Sequence, residues 1–222
     1  MKDSRVYWIW LSNACGAGSR CAVRLCGYFG DAESVYKAKE KQYKASGVKI
    51  DKRVLQRLLD KDISYAKEIL AWCGDMGVDV LCPGHKGYPK NLTQLSDAPM
   101  VLYSLGEVPD FSEIFCCAMV GTRKMSAYGK KCAVNFGYNL ARCGAMIISG
   151  LARGIDSAAM TAALDAGGKT VAVLGCGIDV VYPAENEDLM RRVVKNGCVL
   201  TEYAPGTSPY GPNFPVRNRL IS

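Results

Sequence analysis

The sequence predicts an α/β protein in two parts, on three observations. From residue 76 onward short apolar runs alternate with amphipathic helical segments. Most of these runs lead into glycine-rich loops, and before residue 76 the texture is helical throughout. Repeated strand–helix units with strands apolar on both faces call for a parallel sheet covered by helices. The expected architecture is a Rossmann-like, mostly parallel sheet with helices on both faces (residues 76–222), preceded by a small all-helical domain (residues 1–75).

In the helical part, Leu11-Ser12-Asn13-Ala14-Cys15-Gly16-Ala17-Gly18-Ser19-Arg20 reads as a helix end, a glycine turn and a new helix start. Val23, Leu25, Cys26 and Phe29 are the apolar residues of the new helix, punctuated by Gly27 and Gly30. A charged helix follows from Ala32, and a third pattern runs from Asp51 through Leu55, Leu58 and Leu59 to Ile69, Leu70 and Trp72. The Gly16-x-Gly18 turn resembles a helix-hairpin-helix loop, in which backbone N–H groups hold a DNA phosphate. A purely structural turn explains the same residues.

Val78–Cys82 and Met100–Tyr103 are short strands separated by turn residues. Strand Phe115–Val120 leads into Gly121-Thr122-Arg123 and a helix from Ser126, whose apolar stripe is Tyr128, Cys132, Phe136 and Leu140, with Gly144 as its stop. Strand Ala145–Ile148 leads into the loop Ser149–Asp156 and a helix bearing Ala159, Met160, Ala163 and Leu164. Strand Thr170–Leu174 leads into Gly175-Cys176-Gly177. A helix from about Glu185 carries Leu189, Met190, Val193 and Val194, and strand Cys198–Thr201 closes the series.

Composition excludes several classes. The longest apolar stretch, Ile114–Val120, is seven residues, against about 20 for a bilayer span. No signal peptide is expected, because Val6–Leu11 is only six apolar residues with no clean cleavage site after it. The single histidine, His85, lies in a Pro-Gly-His-Lys-Gly turn, so a two-histidine metalloprotease helix is impossible and a triad would rest on that residue alone. The eleven cysteines are scattered, odd in number and without a Cys-x-x-Cys pair. That pattern predicts free thiols in a reducing cytoplasm, with no zinc and no cofactor. The net charge is +7, with 14 Lys+Arg against 9 Asp+Glu in residues 1–75. Such an excess permits nucleic-acid binding without establishing it.

Ligands of an open parallel sheet sit beyond the carboxyl ends of its strands. Those loops are Gly121-Thr122-Arg123, Ser149–Asp156 and Gly175–Tyr182. Glycines let backbone approach a phosphate, and Arg123 and Arg153 supply charge-assisted forks. The loops therefore read as a phosphate-binding crevice. The dinucleotide fingerprint fails, since Val180 stands where Gly175-x-Gly177 would need its third glycine. Gly168-Lys169-Thr170 only mimics a Walker motif: it follows a helix and opens a strand. Ser149 is flanked by Ile147 and Leu151 rather than by the glycines of a nucleophile elbow. Asp156 caps its helix or fixes Arg153. Anion binding without a reaction centre points to a binding protein rather than an enzyme.

Several segments together carry a specific resemblance. They are Val120-Gly121-Thr122-Arg123-x-x-Ser126-x-Tyr128-Gly129, Ser149-Gly150-Leu151-Ala152-Arg153-Gly154-Ile155-Asp156, and Ala172-Val173-Leu174-Gly175-x-Gly177-x-Asp179-x-x-Tyr182-Pro183. Thr201-Glu202-Tyr203-x-Pro205-Gly206 and Asn213-Phe214-Pro215-x-Arg217-Asn218-Arg219-Leu220-Ile221-Ser222 follow in order. The set resembles the DNA-processing protein A family (DprA, also called Smf), specifically over residues 88–222. The helical start resembles, more loosely, that family's sterile-alpha-motif-like domain. The resemblance implies a cytoplasmic, usually dimeric bacterial protein that binds single-stranded DNA, shields it from nucleases and helps load the RecA recombinase in natural transformation. It also implies phosphate contacts from Gly121, Thr122, Arg123, Ser149, Gly150, Arg153, Gly154, Arg217, Asn218 and Arg219. Phe214 either stacks on a base, worth about 1–3 kcal/mol, or anchors its own loop.

Two departures stand out. Met160 occupies a position where the family commonly has histidine. The family also continues beyond Ser222 with βα units that complete the sheet and contribute to dimerisation and RecA contact, so truncation and an exposed sheet edge are expected. Two other functions remain open. One is a Rossmann-type nucleotide phosphoribohydrolase, although Gly167-Gly168 and Pro205-Gly206-Thr207 lack its Pro-Gly-Gly-x-Gly-Thr pattern and its glutamate. The other is a protein-interaction scaffold with DNA binding secondary.

Overall fold

A computed structural model describes residues 3–222, which divide into two compact units, one ending at Leu102 and one spanning Tyr103–Ser222. The first unit begins with six helices: α1 (Arg5–Cys15), α2 (Arg20–Phe29), α3 (Ala32–Lys37), α4 (Glu40–Ala45), α5 (Lys52–Leu59) and α6 (Ser64–Asp75). Residues Val6 to Leu11 are all buried, and α1 packs against α2, α3, α5 and α6. A helix apolar on every side belongs at the centre of its bundle. Ser19, Asp31 and Asp51 each accept a first-turn backbone N–H, which fixes the starts of α2, α3 and α5.

The third sequence pattern proves to be two helices. Asp60 ends α5 in extended geometry, its carbonyl accepts the indole N–H of Trp10 at 3.0 Å, and Asp62 accepts the Ser64 N–H at 2.8 Å to restart the chain. Aspartates that hydrogen-bond local backbone compete with helix continuation, and the apolar periodicity across the break concealed this. Between α5 and α6, Lys61 places its ammonium 4.9 Å from the Trp10 ring centroid and 3.0 Å from the Tyr43 hydroxyl. After α6 the unit continues with strand β1 (Asp79–Leu81) and a 3-10 turn, Lys90–Gln94.

The second unit is built on β2 (Leu102–Gly106), β3 (Cys116–Ala118), β4 (Met146–Ser149), β5 (Thr170–Val173) and β6 (Gly197–Thr201). These strands lie in the order β2-β6-β5-β4-β3. β3, β4, β5 and β6 run parallel, and β2 joins β6 antiparallel, with Tyr103 opposite Thr201. The crossovers are α7 (Ala127–Arg142), α8 (Ile155–Asp165) and α9 (Glu187–Lys195), and the short helix α10 (Asn213–Asn218) follows β6. Met146, Val171, Val173, Cys198 and Leu200 form a core capped by Val108, Phe111, Ile114, Leu220 and Ile221.

The register of α7 differs from the expectation. Tyr128 and Phe136 are exposed, at 77% and 62%, while Ala133, Gly137 and Ala141 form the buried face. A Cβ on Gly137 would stand 2.4 Å from the Ala159 carbonyl oxygen of α8. The two helices touch through their backbones, so the small stripe faces inward and the aromatic stripe outward. The strands themselves lie within three residues of where the apolar runs put them, the largest shift being at β2, which ends at Gly106 rather than Tyr103. No helix among the described residues is long and apolar enough to cross a membrane.

Candidate nucleic-acid interface

The carboxyl ends of β3, β4 and β5 open into a small cleft. Its walls come from the loops after those strands and from α10: Arg123, Gly150, Ala152, Arg153, Tyr182, Pro183, Phe214 and Arg217. The sequence-expected Arg123, Gly150, Arg153, Phe214 and Arg217 thus converge on one depression, with roles that separate by depth.

At the floor the charged and glycine residues bind one another. The Asp156 carboxylate, 4% exposed, accepts the Gly121 N–H at 3.2 Å and the Gly150 N–H at 3.1 Å. Asp156 therefore ties two strand-end loops together; it neither caps α8, whose N-cap is Gly154, nor holds Arg153. The amides of Gly121 and Gly150, expected to face a phosphate, already have an internal anion. Ser149 is fully buried, and its hydroxyl donates to the Met119 carbonyl at 2.6 Å, bracing β4 to the end of β3. That bond accounts for a serine the sequence put on a phosphate.

Arg217 is likewise internal, at 5% exposure. Its guanidinium donates to the Gly150 carbonyl at 3.0 Å and to the Val173 carbonyl, bolting α10 onto the ends of β4 and β5. Burial pulls its pKa below the ordinary arginine value, and the Asp156 charge opposes that shift. A side chain on Gly150 would run into this guanidinium, 2.5 Å from Nη2. Gly154 has φ +82°, and a Cβ there would sit 2.2 Å from the Thr122 carbonyl oxygen, so this glycine is required by the close approach of two loops.

The lip is different. Thr122, Arg123 and Arg153 are exposed. The Thr122 hydroxyl accepts the Lys124 N–H at 3.2 Å and shapes its own turn. Arg123 has no carboxylate within ion-pair distance among the described residues, and its guanidinium lies 5.3 Å from the Phe214 ring centroid. Arg153 forms a two-pronged pair with Glu185, both contacts at 2.6 Å; this partner raises the pKa of the arginine and lowers that of the glutamate. Phe214 is half-buried: its ring packs on Gly175, where a Cβ would lie 2.8 Å away, and Tyr182 stands 5.5 Å off at a tilt. The loop-anchor contact is thus present alongside a ring that borders the cleft.

The model of the DNA recombination-mediator protein A family matches residues 79–222. The chain belongs to that family. It is 32% identical to Protein Smf of Synechocystis sp. over 227 residues, which take in 99% of this chain and 56% of the relative. The X-ray structure of DNA processing protein A (DprA) from Streptococcus pneumoniae matches 100% of this chain and 75% of its own, with a TM-score of 0.81 and 29% identity. A structure of DNA processing protein A from Helicobacter pylori, titled for its single-stranded DNA binding mode, matches 65% of this chain and 64% of its own (TM-score 0.58, 31% identity). The chain spans about half the length of the curated relatives it matches.

Within the family's Asn-Phe-Pro-x-Arg-Asn-Arg segment, Asn213 donates to the Gly175 carbonyl at 3.1 Å. Asn218 is exposed and accepts from Arg217 at 3.3 Å. Arg219 pairs with Glu202, whose side chain is 4% exposed. This segment therefore holds α10 on the sheet, and Arg219 points its charge at an internal carboxylate. Met160, at the position where the family motif suggested a histidine, is fully buried on α8. Sequence reasoning missed Glu185 and Tyr182 at the lip and the double-amide role of Asp156. The tyrosine lay within a loop already singled out, whereas nothing local to Glu185 marks it as the partner of an arginine 32 residues away. Among the described residues no cluster of three or more His, Cys, Asp or Glu side chains could hold a metal ion.

Proposed function

We propose that this chain is a non-catalytic single-stranded DNA-binding protein that takes the nucleic-acid backbone across the lip of the cleft. The observation that carries the reading is the exposed Arg123 guanidinium beside the Phe214 ring, next to Arg153. A cation and an aromatic face at one edge suit a phosphate and its adjoining base, without sequence preference. Family membership and the single-stranded DNA binding named for the Helicobacter pylori relative support it. In this reading Thr122, Arg123, Arg153 and Phe214 make contact. Gly121, Ser149, Gly150, Gly154, Arg217, Asn218 and Arg219 set the shape of the loops.

The wider role proposed is that of a cytoplasmic recombination mediator. It would shield incoming DNA and assist loading of a RecA recombinase in natural transformation, with the homodimer that the full-length family usually forms. Residues 1–75 and 76–222 are proposed as its domains. The test is fluorescence anisotropy of labelled oligothymidine titrated with this chain at several salt concentrations. Saturable binding that weakens steeply with salt is expected; no binding by a folded sample would overturn the reading.

A further inference from the structure

The face that α7 turns to solvent is as ordered as the one it buries. Tyr128, Lys131, Asn135, Tyr138 and Arg142 are all exposed, and they follow one another at intervals of three, four, three and four residues. That spacing sets them in a single ridge along one side of the helix. The 16 residues of α7 make the helix about 24 Å long at 1.5 Å per residue. Along the ridge each ring is followed by a cation, and an amide stands between the two pairs.

The charge is one-sided. The 42 residues from Ile114 to Ile155, which include α7, hold six Lys or Arg and no Asp or Glu, whereas the 67 residues that follow hold six against seven. Lys131 and Arg142 have no carboxylate within ion-pair distance among the described residues. On α9, by contrast, Arg191 pairs with Glu187 and Asp188, and Arg192 reaches Asp165. A partner helix would call for aliphatic residues at this spacing, and the ridge has none. Rings interleaved with unpaired cations suit bases and phosphates, which single strands present together.

The ridge also adjoins the lip of the cleft. Arg123 and Lys124 are exposed in the loop that feeds α7, and Ser126 starts the helix by accepting the Gly129 N–H at 3.1 Å. As the crossover between the parallel strands β3 and β4, α7 runs from their carboxyl ends back toward their amino ends. Its outward side therefore leads away from the lip.

We propose that the outward ridge of α7 is a second contact surface for single-stranded nucleic acid, along which a strand held at the lip continues. The inference rests on the lip reading for where the strand enters, and on a separate set of residues for its path. Lys131 and Arg142 take phosphates, and Tyr128 and Tyr138 offer ring faces to bases. A short oligonucleotide fills the lip alone, and a longer one gains two phosphate contacts.

The test is salt-dependent fluorescence anisotropy of the whole chain with oligothymidines of about 5 and about 20 nucleotides, which bracket the usual single-strand site sizes. The slope of log affinity against log salt is expected to steepen by about 1.4 from the short strand to the long, at about 0.7 per phosphate. In the double variant Lys131→Gln, Arg142→Gln, with folding verified by circular dichroism, that gain is expected to vanish and long-strand affinity to fall several-fold. Ultraviolet irradiation of the unmodified chain with the long strand is expected to crosslink the tryptic peptides Met125–Lys130 and Cys132–Arg142, which carry Tyr128 and Tyr138. Equal slopes at both lengths would overturn the proposal and leave the lip in place. Long-strand binding lost in the double variant but untouched by Arg123→Met would support the ridge and overturn the lip. No binding at either length would overturn both. Displacement of the long strand by polyglutamate as readily as by unlabelled oligothymidine would overturn the proposal, because it would assign the ridge to an acidic protein partner.

Discussion

The floor and the lip of the cleft are made of the same residue types, and they do opposite things. At the floor, Arg217 and Asp156 are buried and hold backbone groups of Gly150, Gly121 and Val173. At the lip, Arg123 faces solvent beside an aromatic ring, and Arg153 is held by an exposed carboxylate that an incoming anion can replace. A buried arginine with satisfied donors is part of the scaffold, and an exposed one with no carboxylate partner is available to a ligand. Burial, rather than membership in a motif, separates the two.

The sharpest way to break this contrast is at Asp156. Asp156→Ala leaves the buried Gly150 amide and the part-buried Gly121 amide without their acceptor, and an unsatisfied buried donor costs about 1–3 kcal/mol. Urea denaturation should show a loss of roughly 2–4 kcal/mol on that scale, with any DNA-binding defect following from unfolding. A smaller loss is expected for Arg217→Met, about 1–3 kcal/mol from two carbonyls losing a charged donor; an unchanged denaturation midpoint would remove Arg217 from the scaffold.

Arg123→Met reverses the pattern. It should leave stability within about 0.5 kcal/mol, as surface substitutions do, while weakening oligothymidine binding several-fold. Glu185→Gln should have the least effect, because exposed ion pairs contribute about 0–1 kcal/mol. Freeing Arg153 should raise DNA affinity by at most a few-fold, and a fall in affinity would mean that the ion pair positions the arginine instead of competing for it.

How much the sequence discloses follows the same division. Strands β3 to β6 were legible because each is a short apolar run between turn residues, and the convergence of Arg123, Arg153 and Phe214 follows from a parallel sheet placing its loops at one edge. Ser149 and Arg217 were legible as important positions but not in their roles, since a hydroxyl that braces two strands and one that meets a phosphate look alike in a motif. The α7 stripe misled for a different reason. Tyr128 and Phe136 outrank Ala133 and Gly137 in hydrophobicity, but the close approach to Ala159 selects small residues, and only the partner helix reveals that. The break at Asp60–Ile63 was hidden because α5 and α6 keep compatible apolar spacing through it.

The most direct test of the central claim compares the salt dependence of oligothymidine binding by the parent chain and Arg123→Met, with folding of both verified by circular dichroism. The account expects saturable binding by the parent, and a slope of log affinity against log salt that is shallower in the variant by about 0.7, the value for one phosphate contact on a single strand. Equal slopes and equal affinities would contradict it, because the exposed lip would then not be where the backbone is held.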